Sequence, residues 1–291
     1  MTPQTVAALE AAGLEPVEVE RLVRAALEED FRYGPDITSA ATVGDLVTVT
    51  GDVVAREHGV LAGMPAALAV LDAVGGMTAT ALRADGSRIG PGDAVLRVSG
   101  PATAVLGAER TMLNFLTHLS GVATATRAWV DAVAGTGAAI RDTRKTTPGL
   151  RALQKYAVRC GGGQNHRMGL GDAALIKDNH LAAAGGVAAA YAAVHLAAPD
   201  VPLEVECDTL TQVREALEAG ARFILLDNMP AETMRAAVAE ARRHDGTRLE
   251  ASGGLRLAAA REVALTGVDY LAVGALTHSS RILDLGLDFV A

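Results

Sequence analysis

The segment RDTRKTTPGLRALQKYAVRCGGGQNHR, residues 141–167, carries seven basic side chains: Arg141, Arg144, Lys145, Arg151, Lys155, Arg159 and Arg167. Its one acid is Asp142, although the whole chain has a formal net charge of −8. So strong a local excess of positive charge asks for a local reason. Arginine presents a planar fork that matches carboxylate or phosphate, and lysine a compact point charge. Further downstream, special residues close short apolar runs: Lys177 in ALIKDNH, Glu206 in PLEVECDT, Asp227 in FILLDNMP and Gly274 in YLAVGALT. Four cations (Arg144, Lys145, Arg167, Lys177) with His166 suit a substrate bearing several negative charges. The carboxylates Glu206 and Asp227 suit ribose hydroxyls or a magnesium ion, which prefers oxygen ligands and keeps several waters.

A phosphate cradle is also legible in SGGLRLAAAREVA. Gly253 and Gly254 after Ser252 let backbone N–H groups approach an anion, and a following helix would present its positive end. Each feature has an ordinary counterpart. Ser-Gly-Gly is a common turn, a single charged residue between strand and helix is usually a solvated rim, and GGGQN fits a flexible connection. Lys177 fits an ion-pair partner or a reactive amine, His166 a satisfied loop residue, and His180 takes no role. Convergence favours a site: six strand ends would all have to be polar by accident.

These residues need elements to hold them. Helical spacing is present at Val19, Leu22, Val23, Ala26 and Leu27, and strand-like pieces follow in LVTVTGDVVAR, MTATALRADGS and AVLRVSG. RADGSRIGPGDAV reads as a hairpin or tight loop. From Thr103 to Val133 the pattern is one or two helices, with Gly121 the expected break. Beyond that, short apolar runs alternate with helical segments such as TLTQVREALEAGA, giving six strand-then-helix units. This rhythm predicts a parallel sheet, and strand ends that share chemistry favour its closure into a barrel, where they converge on one mouth. Six units fall short of eight, so an incomplete or modified α/β barrel is expected.

Composition narrows the classes. At 291 residues, half of them hydrophobic, the chain can bury a sizeable core as one large domain or two ordinary ones. Aromatics make up 3%, which removes the stacking platforms of a nucleic-acid binder, and the net negative charge argues against nucleic-acid or membrane-surface binding. No basic start followed by an apolar run marks a signal peptide at the N-terminus. LAAAGGVAAAYAAVHLAAP reads as a buried helix rather than a membrane span. Cys160 and Cys207 read as free thiols of a reducing compartment, the cytoplasm, with neither disulfide nor zinc site.

RDTRKTTPGLRALQKYAVRCGGGQNHR with LGDAALIKDNH resembles quinolinate phosphoribosyltransferases, the carboxylating nicotinate-nucleotide pyrophosphorylases. ERTMLNFLTHLSGVAT, LEVECDTL, FILLDNM, EASGGL and VGALTHS continue the resemblance in order, from about residue 20 to the end. GPDIT departs from the family's Gly-Asp-x-Thr by an inserted Pro35. The resemblance implies an N-terminal α/β sandwich domain, 1–115, and a six- or seven-stranded α/β barrel, 116–291, whose C-terminal tail packs back on the first domain. It implies transfer of phosphoribosyl from 5-phosphoribosyl-1-pyrophosphate (PRPP) to quinolinate with Mg²⁺, releasing pyrophosphate and CO₂ and leaving nicotinate mononucleotide for NAD synthesis. Arg110, Thr143, Arg144, His166, Arg167 and Lys177 would then contact quinolinate, with Arg110 reaching the neighbouring subunit of a homodimer or of a hexamer. Lys145, Lys177, Glu206 and Asp227 would serve the reacting centre. Lys145, Glu206, Asp227, Ser252, Gly253, Gly254, Val273, Gly274 and Ala275 would hold PRPP, with Glu206 and Asp227 on the metal, directly or through water.

Three rivals remain at this level. A sister phosphoribosyltransferase acting on another pyridine acid would need fewer carboxylate clamps than Arg110, Arg144, His166 and Arg167 supply. A barrel lyase would use Lys177 as a Schiff-base amine. A non-catalytic nucleotide or nucleic-acid binder would use the basic segment alone.

Overall fold

A computed structural model describes residues 1–43 and 46–290. The chain forms two compact units that interleave in sequence. One comprises Met1–Arg127, Thr147–Gly162 and the C-terminal segment from Ser279; the other comprises Ala128–Thr146 and Gly163–His278.

In the first unit, strands β1 (Thr48–Ala55), β3 (Thr78–Ala81) and β5 (Ala94–Pro101) join the C-terminal strand Leu285–Phe289 in an antiparallel sheet, with β1 at the centre between β5 and the C-terminal strand. The turn-rich segment connects β3 to β5, which pair antiparallel, and within it β4 (Arg88–Ile89) pairs with the distant β2 (Gly59–Val60). Helix Ala102–Ala132 is uninterrupted, about 46 Å at 1.5 Å per residue, and ends one residue before Val133. Met112, Leu113, Leu116, Leu119, Val122 and Ala123 recur at three- and four-residue spacing and are buried.

Gly121 is therefore not a helix break. It serves close approach: a Cβ there would stand 2.0 Å from the carbonyl oxygen of Arg281. The C-terminal segment is pinned beside it by the Leu283 N–H on the Thr117 carbonyl at 3.0 Å. Helix Arg151–Cys160 belongs to this unit, as does the long helix up to Arg127. It carries Lys155, fully buried, and Arg159, whose guanidinium donates to the Ala12 carbonyl. Part of the basic segment is therefore structural.

The second unit holds six parallel strands: β6 (Ala139–Arg141), β7 (Ala174–Ile176), β8 (Leu203–Cys207), β9 (Phe223–Asp227), β10 (Arg248–Ser252) and β11 (Tyr270–Ala272). Their spatial order, β6-β11-β10-β9-β8-β7, follows the chain with no reversal. An open doubly wound sheet would reverse at a switch point, so this is the incomplete α/β barrel. Its seam lies between β6 and β7. The free edge of β6 is met by Gln164, whose N–H donates to Ile140 O at 2.8 Å and whose carbonyl accepts from Asp142 N at 3.1 Å. GGGQN is thus partly sheet-like rather than a loose connection. The intervening helices bury one stripe each, such as Val213, Ala216 and Leu217 after the Thr209–Gln212 capping box.

The alanine-rich segment from Leu181 differs from expectation. It forms two helices, Asp178–Ala184 and Val187–Ala197, bent by 92°, with most alanines exposed. Gly185 (φ 87°) and Gly186 (φ 123°) make the break, and alanine exposes little apolar area. No single helix among the described residues is long and apolar enough to cross a membrane.

Gly121→Ala should destabilise the protein by about 1–3 kcal/mol, since backbone rather than a side-chain tip must move. The check is a thermal melt; an unchanged Tm would mean that helix and C-terminal segment do not pack this closely.

Candidate active site

Side chains two apart on a strand share a face, and the barrel uses this to stack two layers. The upper layer is the predicted set of strand ends: Lys177 just beyond β7, Glu206 on β8, Asp227 closing β9 and Ser252 closing β10. Two residues earlier stand Leu175, Glu204, Leu225 and Glu250. A cavity of about 390 Å³ is lined by Thr143, Arg144, Lys145, His166, Arg167, Leu175, Lys177, Glu206, Leu225, Asp227, Glu250, Ser252 and Ala272. The structure thus brings together all four predicted cations, His166, both predicted acids, Thr143 and Ser252. Of the seven basic residues in 141–167, three line the cavity.

The cations are arranged for an anion. Burial, with the Arg144 charge beside it, pulls Arg167 below the usual guanidinium value, while Asp172 and Glu204 work in the other direction. Two guanidiniums that repel each other in a part-buried wall make a receptor for carboxylates. Arg167 is anchored by Nη1 on the Ala173 carbonyl at 3.0 Å. Lys177 Nζ lies 3.0 Å from Glu206 Oε2 and is half exposed, which suits a charge donor. A Schiff-base amine needs a desolvated, unpaired setting instead, so the geometry disfavours the lyase reading.

His166 is fixed from both ends. Its Nδ1 accepts the N–H of Arg167 at 2.8 Å, so the neutral ring carries its proton on Nε2, which donates to Glu204 Oε2 at 2.8 Å. Its backbone N–H donates to Asp142 Oδ1 at 2.8 Å, and Asn165 Nδ2 donates to Asp142 Oδ2 at 2.6 Å. Asp142, fully buried, thereby locks the turn that carries His166 and Arg167.

The glycines have packing reasons. A Cβ on Gly253 (φ 86°) would stand 2.4 Å from Asn228 Oδ1, and one on Gly274 3.1 Å from Lys145 Cδ. Gly253 lets the end of β9 abut that of β10, and Gly274 lets Lys145 cross toward the mouth. The helix expected directly after Gly254 is instead a short 3₁₀ turn, Leu257–Ala259, and the five-residue helix Ala260–Ala264. Gly253, Gly254, Val273, Gly274 and Ala275 flank the cavity residues in sequence without lining it. Arg110 is exposed on the long helix and does not line it either.

Sequence reasoning misses Glu204, Glu250 and Arg141 as members of the site. Arg141 Nη1 donates to Glu250 Oε2 at 2.6 Å, both side chains largely or wholly buried. A signal exists: Glu204 precedes Glu206 by two, and Glu250 precedes Ser252 by two, so each shares the face of a predicted site residue.

Residues 36–120 match the family model for the quinolinate phosphoribosyl transferase N-terminal domain, and residues 122–288 that for its C-terminal domain. A nicotinate-nucleotide pyrophosphorylase (carboxylating) from Mycobacterium leprae is 57% identical over 270 residues, covering 91% of this chain and 95% of the relative. A probable enzyme of the same name from Bacillus subtilis is 40% identical, covering 94% and 93%. The solved nicotinate-nucleotide pyrophosphorylase of Francisella tularensis superposes with a TM-score of 0.91 at 38% identity, covering 95% of this chain and 98% of that one.

Asp142→Ala should remove the acceptor of two part-buried donors, Asn165 Nδ2 and the His166 N–H, at about 1–3 kcal/mol each. Thermal melts should place Asp142→Asn, which keeps one acceptor oxygen, between wild type and Asp142→Ala. Equal stability of all three would remove Asp142 as the lock on His166.

Proposed function

The chain belongs to the quinolinate phosphoribosyltransferase family, and from that membership we propose how its own residues carry the reaction. Phosphoribosyl passes from PRPP to quinolinate, and nicotinate mononucleotide, pyrophosphate and CO₂ result, a step of NAD biosynthesis. The observation that carries this reading is one cavity lined by Arg144, Lys145, Arg167 and Lys177 together with the apolar Leu175, Leu225 and Ala272. Cations address carboxylates and phosphates, and the apolar side chains suit a flat ring.

Arg144 and Arg167 hold the two adjacent carboxylates, with Thr143 as a hydroxyl partner. His166 shapes this wall; both its ring nitrogens are engaged within the protein. Displacement at the ribose C1 builds positive character on the sugar and negative charge on pyrophosphate. Lys145 and Lys177 stabilise the leaving group, and Glu206 and Asp227 face the ribose hydroxyls. These two carboxylates, on neighbouring strands, also form an oxygen donor set that fits Mg²⁺, directly or through water, although Lys177 already shares Glu206. Bound there, Mg²⁺ would supply charge neutralisation to the pyrophosphate. Ser252 and the Gly253-Gly254 turn, with Val273, Gly274 and Ala275, form the 5′-phosphate end. Once ribosylated, the pyridine nitrogen is cationic and accepts the electron pair left by the departing carboxylate, so no redox cofactor is required.

Arg110 belongs to the cavity of the neighbouring subunit in a homodimer, alone or within a hexamer. Its support is exposure on a helix and absence from its own chain's cavity wall. Free cysteines fit the cytoplasm.

Purified protein with quinolinate, PRPP and Mg²⁺ should release nicotinate mononucleotide and CO₂ in equal amounts, and nicotinate should not replace quinolinate. Arg144→Ala should raise the quinolinate KM by on the order of 30-fold or more while moving the PRPP KM only a few-fold. An equal rise in both would remove Arg144 from the acceptor wall.

Mixing inactive Arg110→Ala with inactive Lys145→Ala should restore activity, because a mixed dimer contains one intact site. Continued inactivity in a mixture that demonstrably exchanges subunits would place Arg110 outside the site.

A further inference from the structure

At the floor of the cavity, where Glu250 and His166 line it, lies an ionisable cluster: Arg141 from β6, Glu204 from β8, Glu250 from β10 and His166. Ligating atoms of His166, Glu204 and Glu250 lie within 4.8 Å of one another, which raises the question of a metal site. The hydrogen bonds answer it. Because His166 Nδ1 accepts a backbone N–H, Nε2 carries the ring proton and has no lone pair to offer a cation.

The cluster holds a proton problem instead. Arg141 is the cation hydrogen-bonded to Glu250, and Glu204 lies near by; the two carboxylate side chains are 8% (Glu204) and 1% (Glu250) exposed. Asp142, next to Arg141 in the chain, is buried as well. Glu204 Oε2 takes the His166 N–H at 2.8 Å. Glu250 gives Oε2 to Arg141, but its buried Oε1 has no hydrogen-bond partner and lies 3.5 Å from His166 Nε2; Glu204 Oε1 is equally unsatisfied. A buried carboxylate with an empty oxygen beside a second carboxylate is costly ionised and cheap protonated.

We infer that Glu250 serves the acceptor site as a neutral carboxylic acid, and that quinolinate takes up a proton on Glu250 when it binds to enzyme in which that residue is ionised. The inference rests on the reading of the cavity as the quinolinate site. Glu250 lines that cavity, so an ionised Glu250 would set a further negative charge under a dianion. Burial, then the Glu204 charge, push Glu250 up to about 7 against the pull of Arg141. From the other neighbouring strands it meets Leu225 of β9 and Tyr270 of β11 in register, so β6, β8 and the His166 segment supply the charged and protonated groups around it.

The sign follows from linkage. Glu250 is pushed up to about 7 in the free enzyme, and a dianion above it pushes it further. Affinity is therefore full below pH 7 and falls as pH rises through it, by about a hundredfold between pH 6 and pH 9. Calorimetry with quinolinate at pH 8, in two buffers of different ionisation heat, should show uptake of close to one proton per site. Glu250→Gln keeps an oxygen for Arg141 and offers an amide N–H toward Glu204, imitating the acid. It should bind quinolinate at pH 9 about as tightly as at pH 6, with no proton uptake.

Wild-type binding without proton uptake at pH 8 overturns the inference, and so does a pH dependence that survives Glu250→Gln. Should the variant fail to fold, the wild-type proton count decides alone. Absence of quinolinate binding at pH 6 would strike the acceptor reading itself, a different failure.

Discussion

A guanidinium sits in the floor of a barrel: Arg141 on Glu250 at 2.6 Å, over the ring of Tyr270 at 4.7 Å from its centroid. Tyr270 in turn lies against Phe223, with ring centroids 6.4 Å apart. These rings begin β11 and β9, at the opposite ends of those strands from the cavity residues Ala272 and Asp227. Burying such charges rarely adds stability over a well-packed apolar layer. What it supplies is fixed direction. Strands of three to five residues leave little room for anything else to hold the mouth in register.

The mouth itself depends on close backbone approach between strand ends. Asn228, at φ 52°, is the one non-glycine residue with positive φ among the described residues. Its N–H donates to the Ser252 carbonyl at 3.0 Å and its side-chain amide to Asp227 Oδ2 at 2.7 Å. One strained residue thus sets the spacing of the Asp227 and Ser252 ends, and Gly253 leaves it space. Strain of this kind collects at functional sites because only a surrounding scaffold can hold it.

Whatever repeats with a period is legible in the amino-acid sequence. The six apolar runs and the residues closing them are local patterns, and in a barrel local strand ends become neighbours by topology alone. That is why Lys177, Glu206, Asp227 and Ser252, 75 residues apart at their extremes, can be grouped from their positions in the chain. Glu204 and Glu250 obey the same period but escape notice, because a charge inside an apolar run reads as an interruption rather than a layer. Gly121 misleads for the opposite reason: its cause is Arg281, which is 160 positions away, and no local pattern carries that. The basic segment is legible as chemistry only in part, since burial of Lys155 and the use of Arg159 on Ala12 belong to another unit's packing. Arg110 leaves no trace in the residues themselves and is reached only through the family resemblance.

The division of charge between layers has a quantitative logic. Arg144 and Arg167 repel each other, and at an effective dielectric near 20 two unit charges 4 Å apart interact by about 4 kcal/mol. One carboxylate below them, Glu204, acts on Arg167 in the compensating direction and holds the arrangement together before substrate arrives. A second full negative charge at the same depth would begin to cancel the field that selects a dianion over a monoanion. Adding carboxylates to such a floor therefore steadies the empty site only up to the first. Beyond that, each one competes with the substrate for the same arginines, unless it keeps its proton.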